Sequence, residues 1–294
     1  MMRALAALRR DPWTAITVAT VGFMLVFVAL PLAELARQSL IGQESGEFGL
    51  ENFRTFFGSS YFRRALFNSL TVGVLGTVMA LAIGLPLALA FARYDFPGKP
   101  WIEVAILLSM LAPPFVGAYA WIMLFGRGGF VTLAAREVGI DLPPIYGVFG
   151  ISLASAFALY PVVFLVVRGG LARVNRTLED AGASLGRGRI GVVWTVTLPL
   201  VLPSLLTAAL LVFLGIISDF GTPSILGEGE RFPVLATLAF SLYLSEIGAE
   251  PGMAAATSAV LVAIAMALVV ALRIFSGRRS VADDQGGGGA PRRL

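Results

Sequence analysis

Chemistry in this chain has to be done without histidine or cysteine, since neither occurs among its 294 residues. That excludes thiol nucleophiles, disulfides, zinc sites built on Cys and His, and imidazole general bases. Any metal would have to be held by carboxylates, Tyr, hydroxyls or backbone carbonyls. The run Gly186-Arg187-Gly188-Arg189-Ile190-Gly191 has the G-x-G-x-x-G spacing of a dinucleotide-binding turn. Such a turn needs a strand before it and a βαβ unit around it. Here a helical pattern precedes and an apolar run follows, and with 33 glycines in the chain chance accounts for the match. A phosphate-binding P-loop needs Ser or Thr after Gly-Lys, whereas Gly98-Lys99 is followed by Pro100. Asp219 is the acid nearest the interior of an apolar run. Charges inside a bilayer default to a functional role, but an acid at the edge of a span also sits hydrated at the interface or caps the next helix. The second reading of Asp219 is the favoured one.

The elements that would position these residues are set by composition. The chain is 57% hydrophobic and 14% charged, with a mean hydropathy of +0.85, against about 25% charged residues in soluble domains. Six apolar runs reach the roughly 20 residues a bilayer requires: 15–36, 69–92, 102–125, 145–167, 196–217 and 253–274. The expected fold class is therefore an all-α membrane protein of about six transmembrane helices. The first run follows Arg3, Arg9 and Arg10 but exceeds a signal-peptide core in length and lacks a small-residue cleavage site, so it is expected to be a retained anchor. Prolines 86, 113, 114, 161, 199 and 203 fall within the spans and favour kinks.

Charge gives the orientation. With the N-terminus in the cytoplasm, Arg37, Arg54, Arg63, Arg64, Arg127, Arg136 and Arg231 lie outside, and the other 15 of the 22 basic residues lie inside. Acids gather outside: Glu44, Glu47, Glu51, Glu137, Asp141, Asp219, Glu228, Glu230, Glu246 and Glu250. The pI of 9.8 then reflects topology, and no nucleic-acid partner is expected. The domain plan is a cytoplasmic N-terminus over 1–14 and a membrane domain over 15–274 containing a cytoplasmic loop at 168–195. A flexible cytoplasmic tail follows over 275–294, where four consecutive glycines read as linker.

The loop between the fourth and fifth runs carries the most pattern. Thr177 with Asp180 three residues on fits a capping box. Leu178, Ala181 and Leu185 fall at i, i+3 and i+7 and form one apolar stripe. Gly186 is placed to end the helix in a left-handed cap. A second amphipathic stretch leads into the fifth run. The stripe has two readings: it awaits a cytoplasmic partner, or it packs on its own bundle or on lipid headgroups.

This loop resembles the EAA loop of the integral-membrane permeases of ATP-binding-cassette importers. The family pattern is Glu-Ala-Ala, three residues, Gly, nine residues, Ile, one residue, Leu-Pro. Asp180-Ala181-Gly182, Gly186, Val196, Leu198 and Pro199 meet that spacing, with Asp180, Gly182 and Val196 as conservative departures. Glu179 adds a second acid, and Gly182 costs roughly 1 kcal/mol of helix propensity relative to Ala, so a more pliable helix is expected. Glu51-Asn52-Phe53 with Phe56, and Asn68-Ser69-Leu70, are similar to the segments around the family's second helix. Pro113-Pro114-Phe115-Val116 through Trp121 resembles the third helix of the subgroup that imports ferric iron, polyamines, thiamine or phosphonates, and Ser218-Asp219-Phe220-Gly221-Thr222-Pro223 resembles the segment after the fifth helix in the iron and polyamine types.

The resemblance implies a MetI-like ABC permease bundle in a bacterial cytoplasmic membrane, with no catalytic residue of its own. It implies two cytoplasmic ATPase subunits that hold ATP and Mg, a second permease subunit that is either identical or different, a periplasmic or lipid-anchored binding protein, and surrounding lipid. Leu178, Glu179, Asp180, Ala181, Gly182, Leu185, Gly186, Leu198 and Pro199 become the ATPase-coupling set. Asp219, Thr222, Pro113 and Pro114 become candidates for the solute path, with ferric iron expected first, a polyamine second, and thiamine or phosphonate as alternatives. Many iron-importing relatives are fused two-half chains, and this length fits separate subunits better. Competing classes fit poorly. A rhomboid-type protease wants His, an aspartyl intramembrane protease wants a second Asp, and a secondary transporter usually shows paired intramembrane charges or repeats. A cysteine introduced at Ser184 should react with a membrane-permeant maleimide and be protected from an impermeant one added outside. Labelling from outside would reverse the assigned orientation.

Overall fold

The computed structural model describes residues 12–42, 46–245 and 248–277. The expected N-terminal segment up to residue 11, the tail from 278, Glu44 and Glu246 lie outside these residues. Among the described residues the chain is helical, with one isolated bridge between Ile41 and Phe48. Six stretches are long and apolar enough to cross a membrane: Ala15–Ser39, Ser60–Arg93, Pro114–Glu137, Gly147–Leu171, Ile190–Ser218 and Pro251–Ile274.

The helices are α1 (Pro12–Ser39), α2 (Glu51–Gly58), α3 (Ser60–Arg93), α4 (Lys99–Leu108), α5 (Pro114–Phe125), α6 (Phe130–Glu137) and α7 (Gly147–Leu171). They continue as α8 (Arg176–Ser184), α9 (Arg189–Val192), α10 (Leu198–Ser218), α11 (Gly221–Leu226), α12 (Leu235–Leu244) and α13 (Pro251–Gly277). A π-helical turn, Val193–Thr197, joins α9 to α10. Helix α13 runs to Gly277, beyond the expected end of the last span.

The third apolar run differs from the expected continuous span. It is split into α4 and α5 by a 3₁₀ turn at Ser109–Leu111 and an extended pair, Ala112 and Pro113, with ψ of 126° and 138°. A residue before proline is pushed out of the helical region, and here two consecutive positions are so placed. Pro114 then occupies the first turn of α5, where its missing N–H costs nothing.

The chain divides into two compact units, residues 12–63 with 238–260, and residues 64–237 with 261–277. In the first, the most apolar window of α1 is not buried, and Ser39 at the end of the helix is. Asn52, buried at the start of α2, donates from Nδ2 to the carbonyls of Ser39 (3.1 Å) and Ile41 (2.8 Å), the chain leaving α1. Phe56 is fully buried, with its ring centroid 5.1 Å from that of Phe57 and 5.4 Å from that of Phe62. The Asn52 and Phe56 of the sequence resemblance are thus a fastener and a core residue.

In the second unit α7 packs along α10, and α3 approaches both through glycines. Without a hydrophobic drive between helices in lipid, close approach at small residues supplies the packing energy. A Cβ on Gly84 would stand 2.6 Å from Val163 Cβ and 2.7 Å from the Tyr160 carbonyl oxygen. The core between these helices includes Ala80, Ala88, Ile151, Val163, Val167 and Val212. Asn68 Nδ2 donates to the Pro233 carbonyl (2.8 Å), and Ser69 Oγ accepts from the Leu235 amide (2.8 Å), tying the base of α3 to the chain entering α12.

Overpacking a core costs on the order of 1–3 kcal/mol, more where backbone is the obstacle. Gly84→Val should therefore lower the thermal stability of the detergent-solubilised chain and its yield. Gly117→Ala, on a helix with nothing within 4 Å of the added carbon, should leave both unchanged. The two are compared by fluorescence size-exclusion melting curves.

Candidate functional site

Helix α8 begins at Asn175. Its side-chain Oδ1 accepts the Thr177 amide (3.0 Å), so the cap lies two residues before the Thr177 capping box that the sequence suggested. Ser184 Oγ donates back to the Asp180 carbonyl (2.9 Å). Gly186 follows the helix with φ +82°, the left-handed geometry that favours glycine, and its amide donates to the Ala183 carbonyl (2.9 Å). No strand precedes Gly186 among the described residues, so its glycine run has no dinucleotide-binding context.

The helix has two distinct faces, which divides what the sequence left as alternatives. Leu178, Ala181 and Leu185, with Asp180, are exposed, Leu178 to 49% and Leu185 to 84%. The opposite face meets the bundle. Gly182 is buried, and a Cβ there would lie 3.3 Å from Val196 Cγ2 and 3.5 Å from Val192 Cγ2. Glu179 Oε1 accepts from Arg93 Nη2 (2.6 Å) at the end of α3 and from Thr197 Oγ1 (2.7 Å) in the π turn. The Arg93 and Glu179 side chains are only 18% and 16% exposed, and Thr197 is 1% exposed. Sequence reasoning counted Arg93 only for topology and passed over Thr197; a charged residue closing an apolar run was the available signal.

Next to this contact, Arg168 at the end of α7 pairs with Glu103 of α4 and lies over the rings of Phe164 (5.6 Å) and Phe91 (6.0 Å). Leu198 and Pro199 form the first turn of α10. The Leu198 amide reaches back five residues to the Val193 carbonyl, and Pro199 has no amide to continue the ladder. The π turn thus falls just before the proline whose ring would crowd a regular helix.

The proposed path residues fall around the break in the third span. Pro113 and Pro114 line a cavity of about 120 Å³ with Ser109, Gly117, Trp121 and Phe157. Trp121 and Phe157 have ring centroids 5.2 Å apart. Asp219 caps α11: Oδ1 accepts the Gly221 amide (2.8 Å) and Oδ2 the Thr222 amide (3.3 Å). This is the capping arrangement favoured from the sequence. Thr222 is buried, and α11 packs on α5 with Gly221 close to the Phe115 amide.

Six membrane-length apolar stretches, a third apolar run broken at proline and a two-faced loop helix before the fifth make an integral-membrane helical bundle. Residues 80–281 match the family of binding-protein-dependent transport system inner membrane components, and the chain belongs to that family. It is 30% identical over 246 residues to the molybdenum transport system permease protein ModB of Mycobacterium tuberculosis, covering 84% of this chain and 88% of that one. It is 27% identical over 268 residues to a probable molybdenum ABC transporter permease protein of Haloferax volcanii, covering 91% and 92%. A putative ferric transport system permease protein, FbpB 1 of Haemophilus influenzae, is 27% identical over 263 residues; these cover 87% of this chain but only 40% of that protein. The fold also matches the crystal structure of a bacterial ABC transporter that imports alginate, with a TM-score of 0.73 and 20% identity over 94% of this chain and 99% of that one. The all-α, six-span expectation and the MetI-like bundle are what the chain shows.

Gly186→Val forces a β-branched residue into the left-handed region at a cost of at least about 1 kcal/mol. Nothing lies within 4 Å of the added carbon, so the effect should be on the path of the chain and not on packing. The variant should insert at normal levels and lose transport by roughly tenfold or more, a size typical of lost coupling between sites. Gly188→Val, equally open but without positive φ, should transport normally.

Proposed function

We propose that this chain is the permease subunit of an ATP-binding-cassette importer and that α8 is its coupling helix, docking by its exposed face on a separate cytoplasmic ATPase. The observation that carries this is the division of α8 into two faces. A helix already fastened to its bundle by Glu179 and Gly182 still exposes Leu178, Ala181 and Leu185. Such residues at helical spacing suit a groove on a partner protein. In this reading both termini and α8 are cytoplasmic, as the basic asymmetry requires. ATP and Mg are held by the ATPase pair, and a second permease completes the path. A binding protein delivers solute from the other side. ATP-driven closure of the pair moves α8 and biases the bundle between inward-open and outward-open states.

The solute we assign is ferric iron, on the acidic outer segments and on the similarity to a ferric permease. A polyamine, the second expectation from the sequence, is named by none of the relatives compared above. Asp219 is committed to capping α11, so a solute cation is selected upstream by the binding protein. Molybdate is the second reading, favoured by molybdenum permeases matched over most of their length.

Both parts are tested in one reconstitution with the cognate ATPase and binding protein. Leu185→Asp should abolish co-purification of the ATPase while the chain still inserts; normal assembly and uptake in that variant would remove the docking face. Wild-type vesicles should take up radiolabelled ferric iron and exclude molybdate. The reverse preference would assign the molybdate reading.

A further inference from the structure

We infer that Glu179 is the positioning residue through which movement of α8 enters the membrane helices, an inference that rests on the docking function proposed for that helix. The covalent route out of α8 is poorly suited to transmit force. It passes through Gly186, Arg187 and Gly188, all exposed, and both glycines have open space where a side chain would be. The route in from α7, Ala172–Asn175, is short and hydrogen-bonded but leads only to α7, so a push on the exposed face reaches α3 and α10 through side-chain contacts. Two such contacts converge on one atom. Glu179 Oε1 accepts from Arg93, 86 residues earlier at the end of α3, and from Thr197, 18 residues later at the entrance to α10. A single carboxylate therefore ties the loop helix to two membrane-spanning helices that the chain separates widely.

The chemistry suits transmission. Bonds from a guanidinium to a carboxylate are directional and stronger than neutral ones, and partial burial limits competition from water. Gly182, one turn on and on the same face, lets the helix come close enough for these bonds to form. Thr197 lies in the π turn, where the hydrogen-bond ladder is already wide. That turn can adjust as Glu179 moves, carrying α10 with it. Asp180, adjacent in sequence, points away and is exposed, so the two acids divide the work. Asp180 belongs to the docking face and Glu179 to the anchor.

The test uses the complete importer, this chain with its ATPase and binding protein in lipid vesicles. It follows three readouts: co-purification of the ATPase, the ratio of ATP hydrolysis with loaded binding protein to that without, and uptake. Glu179→Gln keeps the shape and removes the charge. It should assemble with the ATPase yet lose the stimulation ratio and uptake by roughly tenfold, within the range of site-to-site coupling. Arg93→Glu should lose both equally. The exchanged pair, Arg93→Glu with Glu179→Arg, should recover most of both, which ties the loss to the pairing, while retained co-purification of the ATPase in Glu179→Gln separates lost coupling from lost folding. Stimulation and uptake for Glu179→Gln within about twofold of wild type, or no recovery in the exchanged pair, would overturn the assignment. Leu185→Asp, assayed alongside, separates the two levels. If it retains the ATPase and transports, the docking reading fails irrespective of Glu179. If it loses the ATPase while Glu179→Gln behaves as wild type, only the positioning role fails.

Discussion

Hydrocarbon offers no hydrogen-bond partner, so every interruption of a helix inside the bilayer has to be lined by protein. In the second unit two interruptions come together, while Leu111 to Val116 at the first of them stay exposed on this chain. The third apolar run breaks at Ala112 and Pro113, just before the membrane-length stretch that starts at Pro114, and the chain breaks again after Ser218, where the fifth stretch ends. The short α11 that follows packs on α5, the second half of the broken span, with Gly221 near the Phe115 amide. Asp219 accepts two of the free amides of α11, and Thr222 is buried in its first turn. Irregular backbone next to a span is tolerated where it borders a cavity, and Pro113 and Pro114 border one.

Partial burial gives weight to the few polar contacts at the other end of these helices. Arg93 closes α3 and Arg168 closes α7, and each is matched with a glutamate from a different segment, Glu179 of α8 and Glu103 of α4. A charge left at the end of an apolar helix would draw water toward the packed rings of Phe91, Phe96 and Phe164, whose centroids lie 5.0 and 5.1 Å apart. Pairing lets the helix ends stay close-packed, and it fixes the loop helix onto a surface that would otherwise be smooth and apolar.

Much of this was legible in the sequence, in proportion to how local the cause is. Helix identity followed from apolar runs of bilayer length, and the left-handed turn at Gly186 from a glycine placed after an apolar stripe. The Asp219 cap followed from an acid two and three residues before the amides it accepts. Other features were not legible because their causes are pairs of distant residues. Asn68 and Ser69 were visible as a motif, but their partners at Pro233 and Leu235 lie some 165 positions away. Glu179 could be seen as an acid beside Asp180, yet nothing local told which of the two turns inward. That is decided by Arg93, 86 residues earlier. The break at Pro113 was locally signalled and was read as a kink, because a run of the right length and hydropathy outweighed two prolines.

Two departures from the family pattern of the loop acquire a common cause. The pattern has Ala where this chain has Gly182, and Ile where it has Val196. Read singly, Gly182 suggested a softer helix. In the structure the two positions face each other: a Cβ on Gly182 would come within 3.3 Å of Val196 Cγ2 and 3.5 Å of Val192 Cγ2. Each departure leaves a side chain one carbon smaller at the same contact, so the two are matched in size where α8 meets the π turn. Closeness here opposes softness. The backbone freedom of Gly182 is offset by its burial, and Glu179 on the same face lies 2.7 Å from Thr197. Restoring Ala at 182 would regain up to about 1 kcal/mol of helix propensity. It would also push α8 away by a few tenths of an ångström, against the hydrogen bonds that hold it. The propensity of an isolated helix and the demands of its seat therefore favour different residues at this position, and the chain carries the one that suits the seat.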